Sequence, residues 1–271
     1  MPCWRIAPLF ALVGLLTLLP TAEAASQLDD AYQVFYTGRY EDSAAMALDI
    51  RTADPDNIAA SELRSSALHF QLKRLFGEPA DKNRAWKACA ACQELMTAFM
   101  AETTHGLDAA RARLQASPSD LEALFLLGKL NLNYVWLQLG TVGRKTGWGE
   151  YWEARRSLDA VLKQNPMHVR ARTARAWIDY IVDTKVPWAI RFALGGANKE
   201  RGMRSLHDAA RTDGDFFAQT EASFALWEMQ VREKNLTDAV IIARGLSRDF
   251  PDNRELAKFL TTHDVTTTVT R

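Results

Sequence analysis

The chain has 271 residues, 48% hydrophobic and 24% charged, with Lys+Arg and Asp+Glu both at 33. That composition supports a packed core and excludes wholesale disorder. Zero net charge without a basic block removes the electrostatic footprint of a nucleic-acid binder or of a segment drawn to anionic lipid.

At the N-terminus, Arg5 precedes an apolar run from Ile6 to Leu19, and Pro20 and Ala22-Glu23-Ala24 follow. This pattern reads as a secretory signal peptide cleaved after Ala24. The alternative is an uncleaved anchor, but the run is about 14 residues against the roughly 20 that span a bilayer. No Cys follows the cleavage signature, and no later stretch is long and apolar enough to span. The expected organisation is a signal over 1–24, a helical domain over 25–262 and a frayed tail over 263–271. The mature chain is expected in the periplasm or medium, without stable membrane insertion.

Leu28, Ala31, Tyr32 and Phe35 recur at helical spacing, so the chain after Ala25 reads as an amphipathic helix. Gly38 breaks it, and Tyr40 opens a second helix that stops at Pro55, because proline lacks an N–H and clashes with the preceding turn. Ile58 to Phe76 reads as a helix ended by Gly77 and Pro79. A long helix from Lys82 to Thr103 follows. Thr104-His105-Gly106 reads as a turn, and Leu107 to Ala116 as a short helix closed by Pro118. Ser119 is the expected N-cap of the next helix, with Glu122 completing a capping box. That helix runs to Leu139 and enters a Gly-rich insertion, 140–148, which carries Arg144 and Lys145. The insertion is either a solvent-exposed connector or a loop able to wrap an anion. A further helix is expected after Gly149, stopped by Pro166, and others over 168–183, 199–212, 216–232, 236–250 and 253–261, with a short apolar segment at 188–194. No stretch alternates as a strand should.

One frame recurs. Gly38, Tyr40, Ser43 and Pro55 reappear as Gly149, Tyr151, Ala154 and Pro166, with Leu127 and Gly128 on the helix before. A weaker copy has Lys234 and Leu236 in place of Gly and aromatic, followed by Ala239 and Pro251. A unit that recurs this way marks a helical repeat array. Each hairpin exposes an apolar face that only its neighbour can bury.

These residues resemble the tetratricopeptide repeat family. The resemblance implies an all-α superhelix of αα-hairpins with irregular central repeats. It also implies a concave surface, lined by first helices, that holds protein partners and no cofactor. Counted in that frame, the groove positions are Leu28, Tyr32 and Phe35; Phe125, Lys129 and Leu132; Thr173, Trp177 and Tyr180; Phe224, Glu228 and Val231. Tyr32, Phe125, Lys129, Trp177, Tyr180, Phe224 and Glu228 are the candidates for contact. An aromatic stripe at helical spacing is more often the signature of a core than of a binding site.

Enzymatic constellations are missing from the sequence. The five histidines are scattered, with no His-Glu-x-x-His pair, no Gly-x-Ser-x-Gly elbow and no phosphate loop. Cys89-Ala90-Ala91-Cys92 lacks the His that haem attachment needs, and no second pair completes a zinc site. Inside the expected 82–103 helix the two cysteines read as small structural residues, oxidised to each other or not. The other reading is functional thiols, which favour a helix N-terminus. The function expected is a non-enzymatic protein-interaction scaffold of the cell envelope. The alternative is a periplasmic helper of a transport system that binds a small apolar ligand or a transporter subunit. Intact-mass measurement of the exported protein tests the processing: the expected mass begins at Ala25, and a mass retaining Ile6–Leu19 makes the protein anchored.

Overall fold

A computed structural model describes residues 20–144, 146–186, 191, 196, 198–212 and 214–263. The apolar run Ile6–Leu19, the 188–194 segment except Arg191, Lys145 and the tail from 264 lie outside the described residues. The described residues form twelve α-helices and one π-helical turn, with no strand among them. They are α1 (Pro20–Tyr36), α2 (Tyr40–Ala53), α3 (Ile58–Phe76), α4 (Lys82–Ala88), α5 (Ala90–Ala116), α6 (Leu121–Val135), the π-turn (Trp136–Val142), α7 (Trp148–Gln164) and α8 (Val169–Lys185). After these come α9 (Lys199–Ala209), α10 (Phe216–Arg232), α11 (Leu236–Asp249) and α12 (Arg254–His263). The pairs α1/α2, α3/α5, α6/α7, α8/α9 and α10/α11 pack as hairpins, and α12 covers the end of α11. No described helix is long and apolar enough to cross a membrane.

The repeat frame works through small residues. Gly38 turns the chain with φ +81°, a conformation that a Cβ disfavours. Ser43, Ala44 and Ala47 are buried on α2, and the Ser43 hydroxyl donates to the Ala31 carbonyl at 2.9 Å. In α6/α7 a Cβ on Gly128 would lie 2.9 Å from Leu158 Cγ, while Tyr151, Ala154 and Leu127 are buried beside it. Pro55, Pro166 and Pro251 sit in exposed turns after their helices. In the last hairpin Ala239 is fully buried, and Lys234 takes the left-handed conformation, φ +60°, that Gly38 takes in the first.

Several expectations are corrected. The turn before α7 is made by Gly147, at φ +94°, and not by Gly149, which lies in the first turn of α7 with nothing near it. The N-cap of α6 is Asp120, whose carboxylate accepts from the Ala123 N–H at 2.9 Å, rather than Ser119. The turn expected at 104–106 is absent, because α5 runs unbroken to Ala116. Gly106 serves packing instead: a Cβ there would meet Leu130 Cδ1 at 2.8 Å and Ser61 Cβ at 3.0 Å. The hairpin there is therefore α3 with the whole of α5, in place of a short helix over 107–116.

The 82–103 helix breaks at Cys89, which ends α4 and caps α5. The 140–148 insertion does not begin as a solvent-exposed connector either. Its first residues belong to the π-turn, where Leu137, Gln138, Thr141 and Val142 are buried. Lys82 Nζ donates to the Gly140 and Thr141 carbonyls, both at 2.9 Å. His69 Nε2 lies 3.2 Å from Thr141 Oγ1, and burial pushes this imidazole down to about 3.

The array also curls on itself. Phe217 stacks on Tyr32 at 5.5 Å, and Phe224 stacks on Tyr36 at 5.3 Å. Phe250 lies 5.6 Å from Tyr36, and Asn253 Nδ2 donates to the Tyr36 carbonyl at 2.7 Å. The first hairpin thus touches the last, and large buried aromatics make that contact apolar and close-packed.

The packing role of Gly106 has a direct test. Gly106→Val should destabilise the chain by about 1–3 kcal/mol through overpacking against Leu130 and Ser61. Urea denaturation measures it, and an unchanged midpoint would restore the turn.

Candidate functional site

The inner wall is built by the first helices α1, α3, α6, α8 and α10. Four charged side chains meet there, one each from α3, α6, α8 and α10. Arg170 Nη2 lies 3.1 Å from Glu62 Oε2, and its Nε lies 2.6 Å from Glu221 Oε2. Lys129 Nζ lies 2.5 Å from Glu221 Oε1 and 3.9 Å from Glu62 Oε1. Tyr32 donates to Glu62 at 3.3 Å, and Asn133 Nδ2 lies 3.4 Å from the other Glu62 oxygen. The Arg170 guanidinium stacks over Phe125 at 4.8 Å and Tyr32 at 5.3 Å. Two acids and two bases cancel, so the burial is electrically neutral. Desolvation alone would raise the Glu221 pKa, but Lys129 and Arg170, by charge and hydrogen bond, hold it at about 2.

This network decides the fate of the groove positions. Tyr32, Phe125, Leu132, Thr173 and Tyr180 are buried, and Lys129 is the cation of the network. Phe224 is half-buried between Tyr36 and Phe250. Trp177 is half-buried under the Arg232 guanidinium, 5.6 Å away, and packs edge-on against Tyr180 at 5.8 Å. The Tyr180 hydroxyl donates to Glu233 at 2.8 Å, and burial with that carboxylate raises its pKa to about 12. Glu228 pairs with Arg232 at 2.6 Å. The open wall expected at Tyr32, Phe125 and Tyr180 is closed, so these side chains are core. The reason is the curl: α10 comes near enough for Glu221 to reach Arg170 and Lys129, and for Phe217 and Phe224 to cover α1.

Glu62, Arg170 and Glu221 were not among the sequence candidates. The available signal was charge isolated on apolar faces. Lys129 interrupts the run Leu124–Leu130, and Glu221 stands alone between Phe216 and Ala225. A charge that a helix must bury needs a partner from another helix.

One part of the inner wall stays open. At its mouth the N-terminal ends of α6, α8 and α10 enclose a cleft of about 410 Å³. Leu121, Phe125, Met167, Val169 and Ala218 give it apolar walls, with Arg170 on the network side and Glu122 at the rim. Met167 is 59% exposed there, and Phe216, 47% exposed, follows the cleft residue Asp215. The three helix ends offer the cleft few free donors. Asp120 accepts from Ala123 N–H, His168 Nδ1 from Ala171 N–H at 3.2 Å, and Asp215 from Ala218 N–H at 2.8 Å. His168 must be neutral at Nδ1 to accept, in keeping with the downward shift that its burial causes. The mouth therefore combines apolar walls with Glu122, His168, Arg170 and Asp215, and its helix-end donors are already taken. Among the described residues, no group of His, Cys, Asp and Glu is placed to hold a metal ion.

The network predicts two outcomes in equilibrium denaturation. Arg170→Met should cost about 3–5 kcal/mol, because it leaves two buried carboxylates to share the single cation Lys129, while replacing all four charges with apolar residues should recover most of that loss. A loss under about 0.5 kcal/mol for Arg170→Met would mean that the wall closes without the network. Glu221 has a folded pKa below its unfolded one. Its contribution is therefore complete above the ordinary carboxylate range and lost as pH falls from about 4.5 towards 2. Glu221→Gln should flatten that acid limb.

No protein-family model matches the chain. No curated protein matches it. Among solved structures, the chain is similar to a thermophilic TPR protein of Thermus thermophilus. The likeness covers 88% of this chain and 97% of that one, at 15% identity and a TM-score of 0.48.

Proposed function

We propose that the chain is a non-enzymatic protein-interaction module of the cell envelope, exported by its N-terminal segment, that docks partners at the mouth cleft. The observation that carries the reading is the cleft itself. Three inner helices end together around a hollow with apolar and charged walls, with Met167 more than half exposed on its edge. Exposed large apolar side chains beside a pocket are what partners bury. The tetratricopeptide-like architecture supports a binding role, since stacked hairpins display side chains over a rigid surface. Export is supported by the sequence pattern around residues 5–24 and fits the Cys89–Cys92 disulfide, a bond that oxidising compartments preserve. The other reading, a transport helper enclosing a small apolar ligand, would use the interior of the array. That interior is filled by Glu62, Lys129, Arg170 and Glu221.

The partner is one that lays an apolar side chain against the exposed Met167 at the cleft edge. Met167→Glu should remove it while leaving the fold intact, because Met167 is mostly solvent-exposed. Affinity purification from the native envelope, with wild type and Met167→Glu side by side, is the test. The expected result is a specific protein retained by wild type and reduced at least about tenfold, or 1.4 kcal/mol, by the variant. Equal retention at equal melting temperature would remove the cleft from the reading.

A further inference from the structure

The cysteine pair lies at the start of a helix rather than in the interior of one, and its surroundings have a chemical consequence. Cys89 is the N-cap of α5, a helix of 27 residues. Cys89 and Cys92 are joined by a disulfide with their Cα atoms 5.2 Å apart. The Cys92 backbone N–H donates to Cys89 Sγ at 3.2 Å. Cys92 is fully buried against the cluster that contains Phe76, Phe99, Leu137 and Val142, whereas Cys89 is half-buried. Its chain neighbours Ala88, Ala90 and Ala91 are small and exposed, so the chain around Cys89 is open to an approaching polypeptide. Lys87 is exposed beside it, and the Arg144 guanidinium from the loop after the π-turn lies 5.2 Å over the Trp86 ring.

We infer that Cys89–Cys92 is a thiol–disulfide exchange site whose substrate is a protein dithiol, with Cys89 as the sulfur that is attacked. A deprotonated client thiol attacks Cys89 Sγ. The new bond joins client sulfur to Cys89, the Cys89–Cys92 bond breaks, and Cys92 leaves as a thiolate that takes up a proton. The client's second thiol, on losing its proton, attacks the client sulfur of the mixed disulfide. The client's disulfide forms and Cys89 departs as a thiolate. The client loses two electrons, and the cysteine pair gains them. Selectivity for Cys89 follows from access, since Cys92 has no exposed surface. The α5 N-terminus and the Cys92 N–H stabilise the departing Cys89 thiolate, which favours the reduced pair and makes the disulfide oxidising. A structural disulfide would instead keep both sulfurs covered and resist a thiol reductant.

Two measurements on the purified full chain test this. In the first, Cys92→Ser and Cys89→Ser proteins are incubated with oxidised glutathione and analysed by mass spectrometry. Cys92→Ser should form the mixed disulfide through Cys89 at least tenfold faster than Cys89→Ser forms one through Cys92. Equal rates, or no capture by either, would overturn the assignment. The second uses the wild-type chain, so that it does not depend on how the variants fold. The disulfide is reduced, and the rate of iodoacetamide alkylation at Cys89 is followed against pH. The midpoint should lie at least one unit below the ordinary thiol value of about 8.5. A midpoint at or above that value, or a disulfide that dithiothreitol fails to reduce in the folded chain, would make the pair structural.

Discussion

Four charges that cannot stay in water govern this molecule. Glu62, Lys129, Arg170 and Glu221 come from four different inner helices, and each completes its pairing through side chains on others. An unpaired charge there would be costly, so any arrangement that separates one helix from the rest is disfavoured. Apolar side chains alone could slide by fractions of a turn and still be buried. Salt bridges at 2.5–3.1 Å hold one register. Around this knot the aromatic contacts of Tyr32, Tyr36, Phe217, Phe224 and Phe250 bring the first hairpin against the last. A second knot stabilises the N-terminal half. Glu102 on α5, almost without exposed surface, pairs with Arg64 on α3 and Arg51 on α2.

Closure moves the functional surface. In an open array the inner helices would display their side chains along the whole wall. Here the middle of the wall is core, and the mouth, where α6, α8 and α10 end, remains a hollow. The residues there are those that the ion pairs leave over: the walls from Leu121 to Ala218 and the exposed Met167. The same helix ends are capped by their own Asp and His side chains. Shape and apolar surface are therefore what the mouth can offer to a partner.

The cysteine pair lies in a different layer, where α4 gives way to α5 against the π-turn. The π-turn buries Leu137 and Val142 beside Cys92, and Lys82 of α4 ties down its carbonyls. The insertion thus covers one sulfur and leaves the other at the helix end. Its packing, more than its glycines, is what it contributes.

Much of the architecture was legible in the chain. Apolar residues at helical spacing, proline stops, the turn at Gly38 and the small residues Ser43, Ala154 and Ala239 place the hairpins, because these are local steric constraints. α3 and α10 have the bounds read from sequence, and their signals lie within a few residues of each end. What stayed illegible depends on neighbours distant in sequence. Gly106 reads as a turn until α3 and α6 press against it, and Cys89 reads as helix interior until the sulfur pair and the π-turn end α4. Tyr32 and Phe125 read as core or, in the repeat frame, as groove. Only the approach of α10 decides between them, because whether a side chain faces solvent is set by the curvature of the whole array, and that curvature is held by charges 51 to 108 residues apart along the chain.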